Sequence, residues 1–258
     1  MNYFIAAQTD IGISKQTNQD SYCIKKAVSK RFGNILFAVV CDGMGGLSKG
    51  ELASATVAKE FSNWFDNYFP TLLENNSVNF SNIKNEWDRL IKKLNSKIGN
   101  YGIDNGFSLG TTLVLVLCVG DKLYVANVGD SRLYKMNQNI SRLTNDQSLV
   151  AREIASGNLS PEQEETDSRR NVLLQCIGAS QTINPEIEEY PLEKNCIYVL
   201  CSDGFRHEIN EDEMLGLLSP NIIKNEDMLN STLSDIIKLL KERNENDNIT
   251  AVSFKTIA

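Results

Sequence analysis

Five aspartates in this chain each stand at the edge of a short strand-like run. Asp20 precedes Ser21-Tyr22-Cys23-Ile24, and Asp42 ends the apolar run from Ile35 to Cys41. Asp130 separates Tyr124–Val128 from Arg132-Leu133-Tyr134, Asp203 follows Cys196–Ser202, and Asp247 opens Asn248–Phe254. If these strands share sheets, their ends can bring the carboxylates together. Gathered carboxylates repel one another and raise each other's pKa unless a cation neutralises them. An oxygen-only set suits hard cations such as magnesium, manganese or calcium. Any one of these aspartates alone reads equally well as a turn residue. All five together, with Gly43, Gly129 and Gly204 beside three of them, favour a metal site.

The positioning elements follow from periodicity. Strands are expected at Tyr3–Thr9, Ser21–Ile24 and Ile35–Cys41, then at Thr111–Val119, Lys122–Val128 and Arg132–Met136. Gly120-Asp121 and Gly129-Asp130 read as hairpin turns. Residues 187–191 and 196–202 read as a further strand pair, and Asn248–Lys255 as the last strand. One helix is expected from Glu51, with Leu52, Ala55, Ala58, Phe61 and Phe65 on one face. A second carries Ile83, Trp87, Leu90, Ile91, Leu94, Ile98 and Tyr101 on its apolar face. Between these two helices, Asn75–Asn79 reads as a polar turn. Shorter helices are expected at Gln147–Ala155, ended by Gly157, and at Glu211–Leu218, with a longer one at Glu226–Arg243. Strands and helices therefore come in blocks rather than in steady alternation. That order predicts an α+β fold in which two antiparallel sheets pack together with helices outside, as one domain over residues 1–258.

Composition narrows the class. With 258 residues there is ample chain for a core, and 41% hydrophobic with 23% charged residues is ordinary for a globular protein. A net charge of -7 argues against broad affinity for nucleic acid or anionic membrane. There is no apolar run of the roughly 20 residues that span a bilayer, nor a basic stretch before an apolar one near Met1, so a cytoplasmic protein is expected. Cys23, Cys41, Cys118, Cys176, Cys196 and Cys201 form no C-x-x-C pair and read as reduced, structural thiols.

The ordered motifs resemble those of the metal-dependent protein phosphatases, the type 2C serine/threonine phosphatases, in a compact bacterial form. They are Thr17-Asn18-Gln19-Asp20, Asp42-Gly43-Met44-Gly45-Gly46, Gly110-Thr111-Thr112, Val128-Gly129-Asp130-Ser131-Arg132, Thr144-Asn145-Asp146, Ser202-Asp203-Gly204 and Asp247-Asn248. The resemblance covers essentially the whole chain. It implies a four-layer α-β-β-α sandwich, agreeing with the layers expected above, and hydrolysis of phosphoserine and phosphothreonine with Mn2+ or Mg2+. It casts Asp42 as a carboxylate bridging two ions, the Gly43 carbonyl as a further ligand, and Asp203 and Asp247 as ligands of the first ion. Asp20 would hold metal-bound water, and Asp130 with Asp203 resembles a third metal site. In such a site a hydroxide bridging two cations attacks phosphorus directly, without a phosphoenzyme. Phosphoprotein substrates, a cognate serine/threonine kinase and a monomeric state are the implied partners and form. Gly45 and Gly46 read equally as ligand-presenting or simple turn glycines.

Several residues depart from the family pattern. Gln19 stands where a Glu is usual, and Lys15 where an Arg grips phosphate, giving a point charge instead of a bidentate fork. Gln147 replaces a His near the flap, expected at about 148–167, whose acidic tip (Glu162, Glu164, Glu165) would disfavour acidic phosphopeptides. Met44 follows Asp-Gly where some members carry a His acting as general acid. His207, the only histidine, either reaches the cleft or packs locally. Arg132 reads as a structural partner of a nearby carboxylate. Gln19 and Lys15 motivate an alternative, a phosphoprotein-binding module without turnover, which retention of Asp42, Asp203 and Asp247 speaks against. An aspartyl-phosphate enzyme lacks its Asp-x-Asp pair, and a serine hydrolase its G-x-S-x-G.

Overall fold

The computed structural model describes residues 1–44, 49–164 and 166–257. Gly45, Gly46 and Glu165, which entered the sequence reading, lie outside the described residues. The strands are β1 (Asn2–Asp10), β2 (Ser21–Ser29), β3 (Gly33–Cys41), β4 (Gly43–Met44), β5 (Gly110–Thr111), β6 (Leu113–Val119), β7 (Lys122–Val128), β8 (Arg132–Met136), β9 (Ile140–Arg142), β10 (Glu186–Pro191), β11 (Ile197–Cys201) and β12 (Ile249–Ile257). The helices are α1 (Gly50–Asn63), α2 (Phe69–Glu74), α3 (Phe80–Asn105), α4 (Leu149–Ala155), α5 (Glu211–Leu217) and α6 (Glu226–Glu242).

Two five-stranded sheets form, in the orders β1-β12-β11-β8-β9 and β10-β7-β6-β3-β2, and every paired strand is antiparallel. Strand alternation sorts the side chains into three cores. Leu36, Ala38 and Val40 of β3 meet Tyr198, Leu200, Val252 and Phe254 between the sheets. Their neighbours Ile35, Phe37 and Val39 turn outward onto Phe61 of α1 and Trp87 of α3. Val199, Cys201 and Ala251 face the other way, onto Leu229, Leu233 and Leu240 of α6. The outcome is the four-layer α-β-β-α sandwich expected from the sequence.

Two expected hairpins are absent. Gly120-Asp121 does close the β6–β7 hairpin, with Val119 opposite Lys122. Gly129-Asp130, by contrast, carries the chain out of one sheet and into the other, since β7 and β8 belong to different sheets. Residues 187–191 and 196–202 likewise do not pair: β10 adds to β7 while β11 lies between β8 and β12. Local turn chemistry cannot tell a hairpin from a sheet-to-sheet crossover, because the partner strands are distant in sequence.

The helical faces shift too. On α1 the buried stripe is Gly50, Ala53, Val57 and Phe61, while Leu52 and Ala55 are exposed. Gly50 causes this turn of the helix: a Cβ there would collide with the backbone of Gly43, so α1 rests its Gly50 side on the rim strand β4. On α3, Tyr101 is exposed and Gly102 takes the buried position one residue on. Between α1 and α2 a π turn, Trp64–Tyr68, lets the Phe69 N–H reach the Trp64 carbonyl. Pro70 follows in the first turn of α2, where its missing N–H costs nothing. Ser148 caps α4, its Oγ accepting from the Ala151 N–H at 3.2 Å. All six cysteines carry free thiols.

Candidate active site

Strand register alone brings the five aspartates to one end of the sandwich. Ser21 pairs with Cys41, so Asp20 and Asp42 extend from the same edge of β2 and β3. Cys201 lies opposite both Ala251 and Arg132, which places Asp203, Asp247 and Asp130 at the matching edge of the other sheet. Asp42, Asp130, Asp203 and Asp247 line a cleft of about 230 Å³ together with Lys15, Gln19, Gly43, Met44 and Thr112. Asp20 sits behind it, accepting a hydrogen bond from Ser202 Oγ at 2.8 Å.

The backbone beneath these carboxylates is pinned. Asp42 N–H donates to Thr112 Oγ1 at 2.9 Å, and its carbonyl accepts from the Thr112 N–H (2.8 Å) and Thr111 Oγ1 (2.9 Å). Gly43 is obligatory because a Cβ would collide with the carbonyls of Gly50 and Gln19. Asn248 fixes the loop carrying Lys15: its Oδ1 accepts from the Gln19 N–H at 2.8 Å, and its Nδ2 donates to the carbonyls of Ile11 and Thr17. Asn248 and Ser202 stand within the motifs, but nothing in the sequence assigns them a role. Their signal was a polar side chain adjoining a carboxylate at a strand end.

Negative charge outweighs positive charge here. Burial, with Asp20 and Asp203 nearby, drives Asp42 well above the ordinary carboxylate range. Burial pushes Asp20 up to about 7, with Asp203 and Asp247 adding to it. Asp130 is raised to about 6 by burial and Asp203, against the pull of Arg206. Asp203 alone moves down: although burial opposes ionisation, His207, Arg206 and a hydrogen bond with Asp42 hold its charge. Asp20 Oδ1 and Asp203 Oδ1 are buried without any hydrogen-bond partner. Such oxygens are costly unless a cation or water meets them.

A hard divalent cation therefore suits this end of the molecule. Among the described residues no group of three or more His, Cys, Asp or Glu side chains is arranged to hold a metal ion by itself. An ion held here would complete its shell from the Gly43 carbonyl and water, as oxygen-preferring cations commonly do.

Other expected residues are placed as follows. Lys15 lies in the cleft, its Nζ 2.7 Å from Asp247 Oδ1, and its ammonium is held above its usual range against partial burial by that carboxylate. The Gln19 amide is best satisfied with its nitrogen on the Gly43 carbonyl (3.2 Å) and its oxygen on the Gly50 N–H (3.3 Å). Gln147 fastens the sheet crossover: its Oε1 accepts from the Gly129 N–H at 2.8 Å, and its own N–H donates to the Gly129 carbonyl at 2.9 Å. Arg132 is a structural partner as expected, its Nη2 2.6 Å from Asp146 Oδ2 and 2.7 Å from Glu164 Oε1. Glu164 is thus an anchor for the flap segment and not part of a free acidic tip, whereas Glu162 is exposed. His207 does not reach the cleft. It is packed between Asp203 Oδ2 (3.6 Å from Nε2) and Glu245 Oε2 (3.3 Å from Nδ1).

Comparison with known proteins identifies the family and the fold. The family profile "Protein phosphatase 2C" matches residues 12–252. The chain belongs to the protein phosphatase 2C family. It is 30% identical over 249 residues to a putative protein phosphatase 2C-type protein of Streptococcus pyogenes, covering 95% of this chain and 94% of that one. The crystal structure of the serine/threonine phosphatase Stp1 from Staphylococcus aureus superposes with a TM-score of 0.85 at 26% identity, covering 100% and 96% of the two chains. A PstP catalytic domain solved with two manganese ions shares the fold at 22% identity and a TM-score of 0.79, covering 99% of each chain. Among the described residues no helix is long and apolar enough to cross a membrane.

Proposed function

We propose that this protein-serine/threonine phosphatase hydrolyses phosphoserine and phosphothreonine in proteins by direct attack of water on phosphorus, opposing a serine/threonine kinase. The observation that carries this reading is the convergence of Asp42, Asp203 and Asp247 on one cleft, with Asp20 behind them, where Asp203 Oδ1 and Asp20 Oδ1 are buried without partners. No Ser, Cys or His is among the described residues lining that cleft. Thr112 Oγ1 is engaged by the Asp42 N–H and Ser131 Oγ, and Lys15 is held as an ammonium by Asp247, which leaves water as the nucleophile this reading uses.

Asp42, the Gly43 carbonyl, Asp203 and Asp247 would hold two Mn2+ or Mg2+ ions, with Asp20 acting from behind. Bound there, the ions would neutralise phosphoryl oxygens and lower the pKa of water. Thr111 and Thr112 keep Asp42 in place by clamping its backbone at both ends. Lys15 is the positive side chain among the described residues lining the cleft, and its Nζ, now on Asp247, is placed where it could meet a substrate phosphate. As a point charge it would attract that phosphate without fixing its orientation.

The test is phosphate release from a phosphothreonine peptide with manganese, with a chelator, and in Asp203→Asn. Manganese-dependent turnover that the substitution abolishes is expected. Turnover that survives chelation would overturn the metal chemistry. Peptide binding without hydrolysis in saturating manganese would make the chain a binding module.

A further inference from the structure

We propose that Arg206 is a built-in cation at Asp130, filling the place where a third metal ion was expected, so that the chain works with two ions. This inference rests on the two-ion reading above. The expected third site needs Asp130 and Asp203, and both already face a basic side chain. Arg206 Nη2 lies 3.2 Å from Asp130 Oδ2 and 3.3 Å from the Asp130 carbonyl. Both side chains are nearly buried, Arg206 at 13% and Asp130 at 9% exposure. Asp203 presents its Oδ2 to His207 Nε2 at 3.6 Å, leaving Oδ1 as its unpartnered oxygen.

The distances decide which carboxylate Arg206 serves. Asp146 lies 3.9 Å from Arg206 but is already gripped by Arg132, with Nη2 at 2.6 Å and Nε 3.0 Å from each oxygen. Arg206 is therefore the direct partner of Asp130 and only a more distant contributor at Asp146. A guanidinium keeps its charge at any physiological pH and takes no ion from solution. A divalent ion at Asp130 would sit beside that fixed charge in a poorly solvated place, where like-charge repulsion is strong. Arg206 adjoins Asp130 as a charge-compensating residue and is not among the residues lining the cleft. Nothing in the sequence reading marked it, because its partner lies 76 positions away.

Manganese per chain at saturation, with positions from anomalous diffraction, tests the assignment. The native protein should bind two ions, Arg206→Ala a third at Asp130, and Arg206→Lys two. A third ion on Asp130 in the native protein, or Arg206→Ala remaining at two, overturns the proposal. If Arg206→Ala fails to fold, Asp130→Asn decides: two ions are expected still, and loss of one overturns it. A native protein binding no manganese would instead sink the two-ion reading.

Discussion

Asp146, whose side chain is buried, and Asp42, which is partly buried at the cleft, both lie near one end of the sandwich, yet their surroundings differ in sign. Asp146 is ringed by guanidiniums, with Arg132 at 2.6 Å, Arg142 at 3.6 Å and Arg206 at 3.9 Å. Although burial opposes its charge, Arg132 and then Arg206 and Arg142 hold it below the ordinary carboxylate range. Asp42 has no comparable partner, and Asp20, Asp203 and Asp130 drive it up after burial. The first cluster neutralises itself and ties the flap segment to β8 through Arg132 and Glu164. The second leaves net negative charge at a cleft, which costs stability until a cation arrives. Compensation, not burial, separates a structural carboxylate from a binding one here.

The sharpest way to break this contrast is to neutralise one carboxylate in each region. Asp146→Asn leaves Arg132 buried with one partner fewer and should cost about 3–5 kcal/mol of stability. Asp42→Asn should abolish turnover but raise the melting temperature of the metal-free protein, by about 2–4 °C per kcal/mol of relieved repulsion. Opposite signs in metal-free thermal unfolding are expected; two losses of similar size would erase the distinction.

A second effect is a pH-dependent response to manganese. Asp20 sits at about 7 and Asp130 at about 6 in the folded chain, above the ordinary value. Between roughly pH 4 and pH 7 the unfolded chain has therefore released protons that the folded chain retains. Folding is penalised increasingly as pH rises through that window, on the order of 4 kcal/mol for Asp20 alone at about 1.4 kcal/mol per unit. Manganese should remove the Asp20 part of the penalty, so its stabilisation measured by thermal unfolding should be larger at pH 7.5 than at pH 5. An equal shift at both would show that Asp20 is not relieved by the ions.

The smallest predicted effect concerns Lys15, which is partly exposed and pairs with Asp247. Lys15→Ala should raise KM for a phosphopeptide about tenfold, equivalent to about 1.4 kcal/mol, while changing kcat less. A fall in kcat with unchanged KM would place Lys15 in metal positioning instead of phosphate capture.

Much of the architecture was legible because it rests on local periodicity. The apolar runs of β3, β6, β7, β11 and β12, and the stripe Ile83, Trp87, Ile91, Leu94 and Ile98, are patterns that one face of burial imposes on neighbouring residues. The aspartates were legible because each ends or opens such a run. The Gly129-Asp130 crossover was not, since a glycine turn looks the same whether the next strand pairs with the last or changes sheet. Arg206 and the role of Asn248 were illegible for a related reason. Each acts through a partner that only strand pairing brings near, and each is an ordinary polar residue in sequence.

Propensity, alternation and strand-end polarity are properties of adjacent residues, so the long strands, most helices and the acidic character of the strand ends follow from the sequence, whereas β4, β5, β9 and α2 do not. Which carboxylates share a cleft, which receive a guanidinium, and which are left wanting a cation was decided only by the tertiary structure. Charge compensation acts across space, over distances of a few ångströms that register and sheet order create.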